Sequence, residues 1–125
     1  MSTLTLEVQF SGGMELLFSS IHNHRITIPR YYTPSTLSQT GLKEAPIPTE
    51  GEGKRRRTDL KYLIWWLREF LLEDRERPEL FSQGETIRPG ILILINSTDW
   101  ELEGELEYEL EEGDEIVFIS TLHGG

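Results

Sequence analysis

Leu4-Thr5-Leu6-Glu7-Val8-Gln9-Phe10 alternates apolar and polar residues without a break. That is the period of a strand buried on one face, so Leu4, Leu6, Val8 and Phe10 are expected inside. Ser11-Gly12-Gly13 supplies a turn, and Met14-Glu15-Leu16-Leu17-Phe18 is expected to return as the second strand of a hairpin. Arg25-Ile26-Thr27-Ile28 repeats the alternation until Pro29, which has no amide to donate, ends it. The period then changes. Leu60, Leu63, Ile64, Leu67 and Leu71 recur at the spacing of one helical face, Trp65, Trp66 and Phe70 widen that stripe, and Thr58 or Asp59 stands where a cap is needed. This predicts a helix from Asp59 to about Leu72. Isolated helices below about 12–15 residues are marginal, so packing must hold it.

Farther on, Ile91-Leu92-Ile93-Leu94-Ile95 is apolar at every position and Asn96-Ser97-Thr98-Asp99 makes a turn. From Trp100 to Glu112 acids alternate with Leu102, Leu106, Tyr108 and Leu110. Period alone reads as a strand, while Gly104 and the many acids also suit a short strand followed by irregular or 3₁₀ structure. Glu112-Gly113-Asp114 turns into a last apolar run, Ile116-Val117-Phe118-Ile119-Ser120. A hairpin, one helix and further strands imply α+β, with one main helix packed on one face of a mixed sheet. If Ile116 and Phe118 face the helix, Val117 and Ile119 face outward and form a candidate partner-facing sheet surface. Packing in mid-sheet explains them equally well.

Residues 1–125 read as a single domain, since a chain of this length supports one core. Between Arg30 and Arg57, Pro34, Pro46, Pro48, Gly41, Gly51 and Gly53 break every period, so 30–57 is expected to be a loop or disordered insertion. Its basic end, Lys54-Arg55-Arg56-Arg57, reads either as a solvated linker or as a phosphate or nuclear-localisation patch. No apolar run approaches the roughly 20 residues that span a bilayer, and Met1-Ser2-Thr3-Leu4 has no basic region followed by an apolar one. No membrane association is expected, and the cytoplasm, with the nucleus as a second compartment, is the expected location.

A net charge of −10 repels phosphate backbones, which argues against direct nucleic-acid binding. The acids crowd into Glu101, Glu103, Glu105, Glu107, Glu109, Glu111, Glu112, Asp114 and Glu115, either a solvated face or a docking surface for a basic partner. There is no cysteine, hence no disulfide, no thiolate ligand and no thiol nucleophile. His22, His24 and His123 have no metal-ligand spacing, and neither a Ser-His-Asp order nor a phosphate loop is present. The chain does not read as an enzyme.

The chain leaves its last strand and stops at Thr121-Leu122-His123-Gly124-Gly125. Read alone, 121–125 is a flexible tail, since Gly-Gly resists fixed structure and fits where a side chain would clash. Other blocks accompany it: Val8-Gln9-Phe10-Ser11-Gly12-Gly13 with Glu15-Leu16-Leu17-Phe18, Ile87-Arg88-Pro89-Gly90-Ile91 through Asn96, Asp99-Trp100-Glu101-Leu102, Glu112-Gly113-Asp114, and Ser120 to Gly125. Together these resemble the ubiquitin-related modifier family of the Urm type, over essentially the whole chain apart from about 30–57. The resemblance implies the ubiquitin-like β-grasp fold.

The resemblance also implies a sulfur carrier. An activating enzyme with a rhodanese-like domain would use ATP and a persulfide sulfur to convert the Gly125 carboxylate into a thiocarboxylate, and the carrier itself would bind no cofactor. The sulfur would pass to a tRNA thiouridylase complex for 2-thiolation of the wobble uridine. The same carboxyl would be joined to lysines of target proteins, peroxiredoxins among them, under oxidant stress. Gly125 is then the thiocarboxylate and conjugation site, with Thr121, Leu122, His123 and Gly124 read by the activating enzyme as an extended peptide. For His123 taken by itself, tail solvation is the simpler reading. A monomer is expected, already ending at the mature Gly-Gly, and Lys43, Lys54 and Lys61 are its only internal acceptors for chain building. The other reading is a ubiquitin-like interaction module that is never activated and works only through its exposed sheet.

Overall fold

In the computed structural model, which describes residues 2–46 and 54–120, strand β1 (Thr3–Ser11) buries Leu4, Leu6, Val8 and Phe10, as its alternation requires. The residue after the turn does not begin the return strand. Gly12 and Gly13 both take positive φ, and Met14–Leu17 forms a 3₁₀ turn. Met14 and Phe18 are thereby both buried. Phe18 stacks on Phe10 with ring centroids 3.8 Å apart, a contact that a strand at Met14–Phe18 would forfeit. The strand that pairs with β1 is β2 (Asn23–Pro29), antiparallel and in register from Thr3 opposite Pro29 to Gln9 opposite Asn23.

Residues 30–57 are not a simple excursion. β3 (Tyr31–Tyr32) pairs antiparallel with β4 (Arg56–Arg57), and a 3₁₀ turn covers Pro34–Ser38. Tyr32 is a core residue, which the scarcity of aliphatics in this segment concealed. Its hydroxyl donates to both carboxylate oxygens of Asp59 at 3.1 Å. Three residues of the basic run have partners within the chain. Arg55 lies over the Tyr31 ring, Arg56 reaches Asp59 at 3.4 Å, and Arg57 donates to the Leu110 carbonyl. Residues 47–53 of the segment lie outside the described residues.

Helix α1 (Leu60–Trp66) is capped by Asp59, whose carboxylate accepts from the Tyr62 amide at 3.0 Å. Thr58, the other candidate cap, donates its hydroxyl to the Pro29 carbonyl instead. Burial raises the Asp59 carboxyl above the usual carboxylate range, against the opposing pull of the Tyr62 amide, the Tyr32 hydroxyl and Arg56. After Trp66 the helix widens into a π turn over Leu67–Leu71, closed by the Leu72 amide on the Leu67 carbonyl. The extra residue shifts the phase of the stripe, so Leu72 is buried where periodicity places Leu71.

A short hairpin, β5 (Ser82–Gln83) with β6 (Thr86–Ile87), leads to β7 (Ile91–Ile95). β8 (Thr98–Asp99) follows, then 3₁₀ turns at Trp100–Leu102 and Glu105–Glu107 in place of a strand. Leu102 is 79% exposed, so the apolar alternation there does not mark a buried face. The segment is instead stitched to the head of the helix, with the Leu60 amide on the Tyr108 carbonyl and the Leu110 amide on the Thr58 carbonyl. β9 (Glu115–Ser120) completes the five-stranded sheet in the order β2-β1-β9-β7-β8. It runs parallel to β1 and antiparallel to β7, so the last strand in the chain lies in the middle of a mixed sheet. The helix covers one face, and Phe10, Phe18, Phe81 and Phe118 pack together between the layers.

Candidate functional site

β9 is held firmly at its start. Asp114 is buried and accepts from the Asn96 amide at 2.9 Å, the Tyr108 hydroxyl at 2.7 Å and the Glu111 backbone at 2.9 Å. Asp114 therefore belongs to the fold rather than to the solvated acidic face. Tyr108 gains from the same contact: burial and the bond to Asp114 push its phenol well above its ordinary value. The glutamates Glu101, Glu103, Glu105, Glu107, Glu109, Glu111 and Glu112 remain exposed.

Along β9 the side chains divide as the strand period demands. Ile116 and Phe118 are fully buried beneath the helix, while Val117 and Ile119 lie on the opposite face and are only partly buried. The structure supplies their neighbours. Leu92 stands opposite Ile119 and Leu94 opposite Val117 on β7, both partly buried. Four aliphatic side chains thus form a strip down the face opposite the helix. β1 and β2 border it with polar residues: Gln9 beside Val117, the Thr5–Thr27 hydroxyl pair, and Arg25 bonded to Glu7 at 2.9 Å. The sequence pattern anticipates Val117 and Ile119; Leu92 and Leu94 join them only once the register of β7 against β9 is known.

At the far end β9 delivers the chain to Ser120, which pairs with Ile91. Two groups crowd this root. The Arg88 guanidinium donates to the Leu80 carbonyl at 2.7 Å and reaches the Ser120 hydroxyl at 3.5 Å. Gly12, at the end of β1, lies against Ser120 and Ile119 on the other flank. Thr121, Leu122, His123, Gly124 and Gly125 follow directly and lie outside the described residues. His22 and His24 are turned to the backbone, donating to the carbonyls of Phe10 and Ile21 at 3.0 Å. The strip and the root share Ile119, so any partner that covers the strip sits beside the point where residues 121–125 begin.

A family model described as Urm1 (Ubiquitin related modifier) matches residues 5–125. The chain is 52% identical to ubiquitin-related modifier 1 of Laccaria bicolor over 124 residues, which span 99% of this chain and 96% of the relative. It is 45% identical to ubiquitin-related modifier 1 of Homo sapiens over 122 residues, 98% and 96% of the two chains. Among solved structures it is similar to the solution structure of Urm1 from Trypanosoma brucei, with a TM-score of 0.64, 35% identity, and coverage of 100% of this chain and 99% of that one.

Proposed function

The chain belongs to the Urm1 family of ubiquitin-related modifiers, and from that premise we propose that it is a sulfur carrier whose reactive group is the carboxyl of Gly125. The observation that carries the reading is the placement of β9: a strand locked in mid-sheet ends at Ser120 and hands directly to Thr121-Leu122-His123-Gly124-Gly125. Five extended residues reach about 17 Å, enough to enter an active-site channel while the folded body stays at its mouth.

A carboxylate with an ordinary pKa of about 3.5 is ionised at neutral pH and resists nucleophiles. Activation must first remove that charge. A carboxylate oxygen of Gly125 attacks the α-phosphorus of ATP, and pyrophosphate leaves. A persulfide sulfur on the activating enzyme, supplied by its rhodanese-like domain, then displaces AMP at the acyl carbon. A second thiol of the enzyme then attacks the enzyme-side sulfur of the acyl disulfide, so that the thiocarboxylate leaves and the two enzyme sulfurs are joined as a disulfide. All the catalytic groups lie on the enzyme, and ATP and sulfur are used there rather than bound by the carrier. Gly124 keeps the approach narrow, and Thr121, Leu122 and His123 are read as an extended peptide.

The strip of Leu92, Leu94, Val117 and Ile119 is the face that the activating enzyme covers, because it continues into the root of the tail. The acceptor of the sulfur is the thiouridylase complex that 2-thiolates the wobble uridine of tRNA. The complex holds the RNA, which suits a carrier of charge −10. Attack on the activated carboxyl by a lysine of a target protein, peroxiredoxins among them under oxidant stress, gives the conjugating activity. The protein acts as a monomer in the cytoplasm, with the nucleus as a second compartment.

Intact mass after incubation with the activating enzyme, ATP and a sulfur donor tests this reading. A gain matching exchange of one oxygen for one sulfur, lost when Gly125 is deleted, is the expected result. No gain, with the enzyme competent on another carrier, would leave the sheet-binding module as the surviving alternative.

A further inference from the structure

The glycine pair that ends β1 plays no part in the chemistry above, yet its two members stand in different surroundings. Both have left-handed backbones, Gly12 at φ +70° and Gly13 at φ +101°. A side chain at either position would therefore be strained. Only at Gly12 is there also no room. A Cβ there would stand 2.5 Å from the Ser120 carbonyl oxygen, 3.2 Å from the Ser120 nitrogen and 3.3 Å from Ile119 Cγ2. At Gly13 a Cβ would meet no atom of the described residues within 4 Å. The atoms closest to Gly12 are backbone, in a strand pinned between β1 and β7, and cannot swing aside as the tip of a side chain would.

The missing side chain of Gly12 thus leaves the space through which the main chain of Ser120 passes. On the other flank Arg88 is anchored to the Leu80 carbonyl and reaches the Ser120 hydroxyl. We propose that Gly12 is a positioning residue. By admitting the Ser120 carbonyl against β1, it fixes the position and heading of the main chain at Ser120, the residue from which Gly125 is presented to the activating enzyme. The same absent Cβ borders Ile119, which ties the root of the tail to the strip. This inference rests on the carrier reading for its functional consequence, though not for its geometry.

The test compares Gly12→Ala with Gly13→Ala. Each introduces one methyl group at a left-handed backbone, and only the first drives it into Ser120. In adenylation of Gly125 by the activating enzyme, Gly12→Ala is expected to lower kcat about tenfold to a hundredfold, the scale of a misplacement of about 1 Å. Its KM should change less than about threefold because the strip remains, while Gly13→Ala should keep both within about twofold of wild type. Equal kinetics for the two variants would overturn the proposal.

Amide spectra give an independent readout. Gly12→Ala should shift Ile119 and Ser120, and Gly13→Ala should not. If Gly12→Ala does not fold, the wild-type protein decides: Overhauser contacts from the Gly12 α-protons to the Ser120 amide are expected, and their absence would overturn the proposal. An inert wild type with a competent enzyme would remove the carrier reading. The spectra would still decide whether Gly12 directs the chain.

Discussion

Two buried tyrosines near the head of the helix show how differently one residue type is used. Tyr32 donates its hydroxyl to Asp59, which also caps the helix. Tyr62 is fully buried, and its hydroxyl has no hydrogen-bond partner among the described residues. A buried polar group without a partner costs about 1–3 kcal/mol, whereas a hydrogen bond to a charged group contributes about 1.5–3 kcal/mol. Tyr62→Phe is therefore expected to leave stability unchanged or raise it by about 1 kcal/mol. Tyr32→Phe should lower it by about 1.5–3 kcal/mol, because Asp59 loses a donor in a buried site. Urea unfolding of the two variants beside wild type checks both. A larger loss for Tyr62→Phe than for Tyr32→Phe would show that the packing described around Asp59 is wrong. Neither role is visible in the sequence, since hydroxyl partners depend on which segments meet.

At the scale of the element, β9 does two jobs that its pattern partly reveals. The alternation of Ile116, Val117, Phe118 and Ile119 separates a helix face from an outer face, and the buried and partly buried side chains divide accordingly. Half of the outer strip comes from β7, whose run of five apolar residues has no period from which to choose a face. Pairing chooses it. Replacing Val117 and Ile119 together by Ser removes partly buried aliphatic surface at the proposed docking face. The expected result is a rise of about tenfold in KM for activation, equivalent to about 1.4 kcal/mol of lost binding, with kcat within about threefold. Steady-state kinetics measure this. An unchanged KM, with the thermal midpoint near wild type, would move the docking site elsewhere. The opposite split, in kcat rather than KM, is reserved for Gly12, so the two surfaces are separable in one assay.

Across the whole molecule, three of the four tyrosines serve as reporters of folding. Burial pushes the phenols of Tyr32, Tyr62 and Tyr108 above their ordinary value, with Asp59 adding to the first and Asp114 to the last. The ordinary value, and that of the unfolded chain, is about 10. The folded chain thus retains protons that the unfolded chain releases. The stability these groups contribute is fully present below about pH 10 and is lost as pH rises through the folded values. Absorbance at 295 nm should show them ionising together with the loss of far-ultraviolet circular dichroism, in one alkaline transition. Titration of all the tyrosines near pH 10 with the fold intact would contradict their burial.

Much of this protein follows from the sequence alone. Alternation in β1 and β9 and the helical stripe after Asp59 are local periods, so they assign buried faces without knowledge of the fold. The ordered motif blocks that carry the family resemblance are equally local. The tertiary structure alone decided the rest. A 3₁₀ turn at Met14–Leu17 replaces the expected strand because Phe18 gains a stack on Phe10. The helix ends in a π turn that turns Leu72 inward. The acidic run coils against the helix head, where the Tyr108 and Thr58 carbonyls find donors that the alternation of residues does not reveal. The segment after Arg30 contributes Tyr32 to the core through its contact with Asp59, 27 positions away. Above all, a glycine at position 12 reads in sequence as a turn. That its missing side chain makes room for Ser120 is a fact of two strands lying side by side, and only the pairing of the first strand with the last creates it.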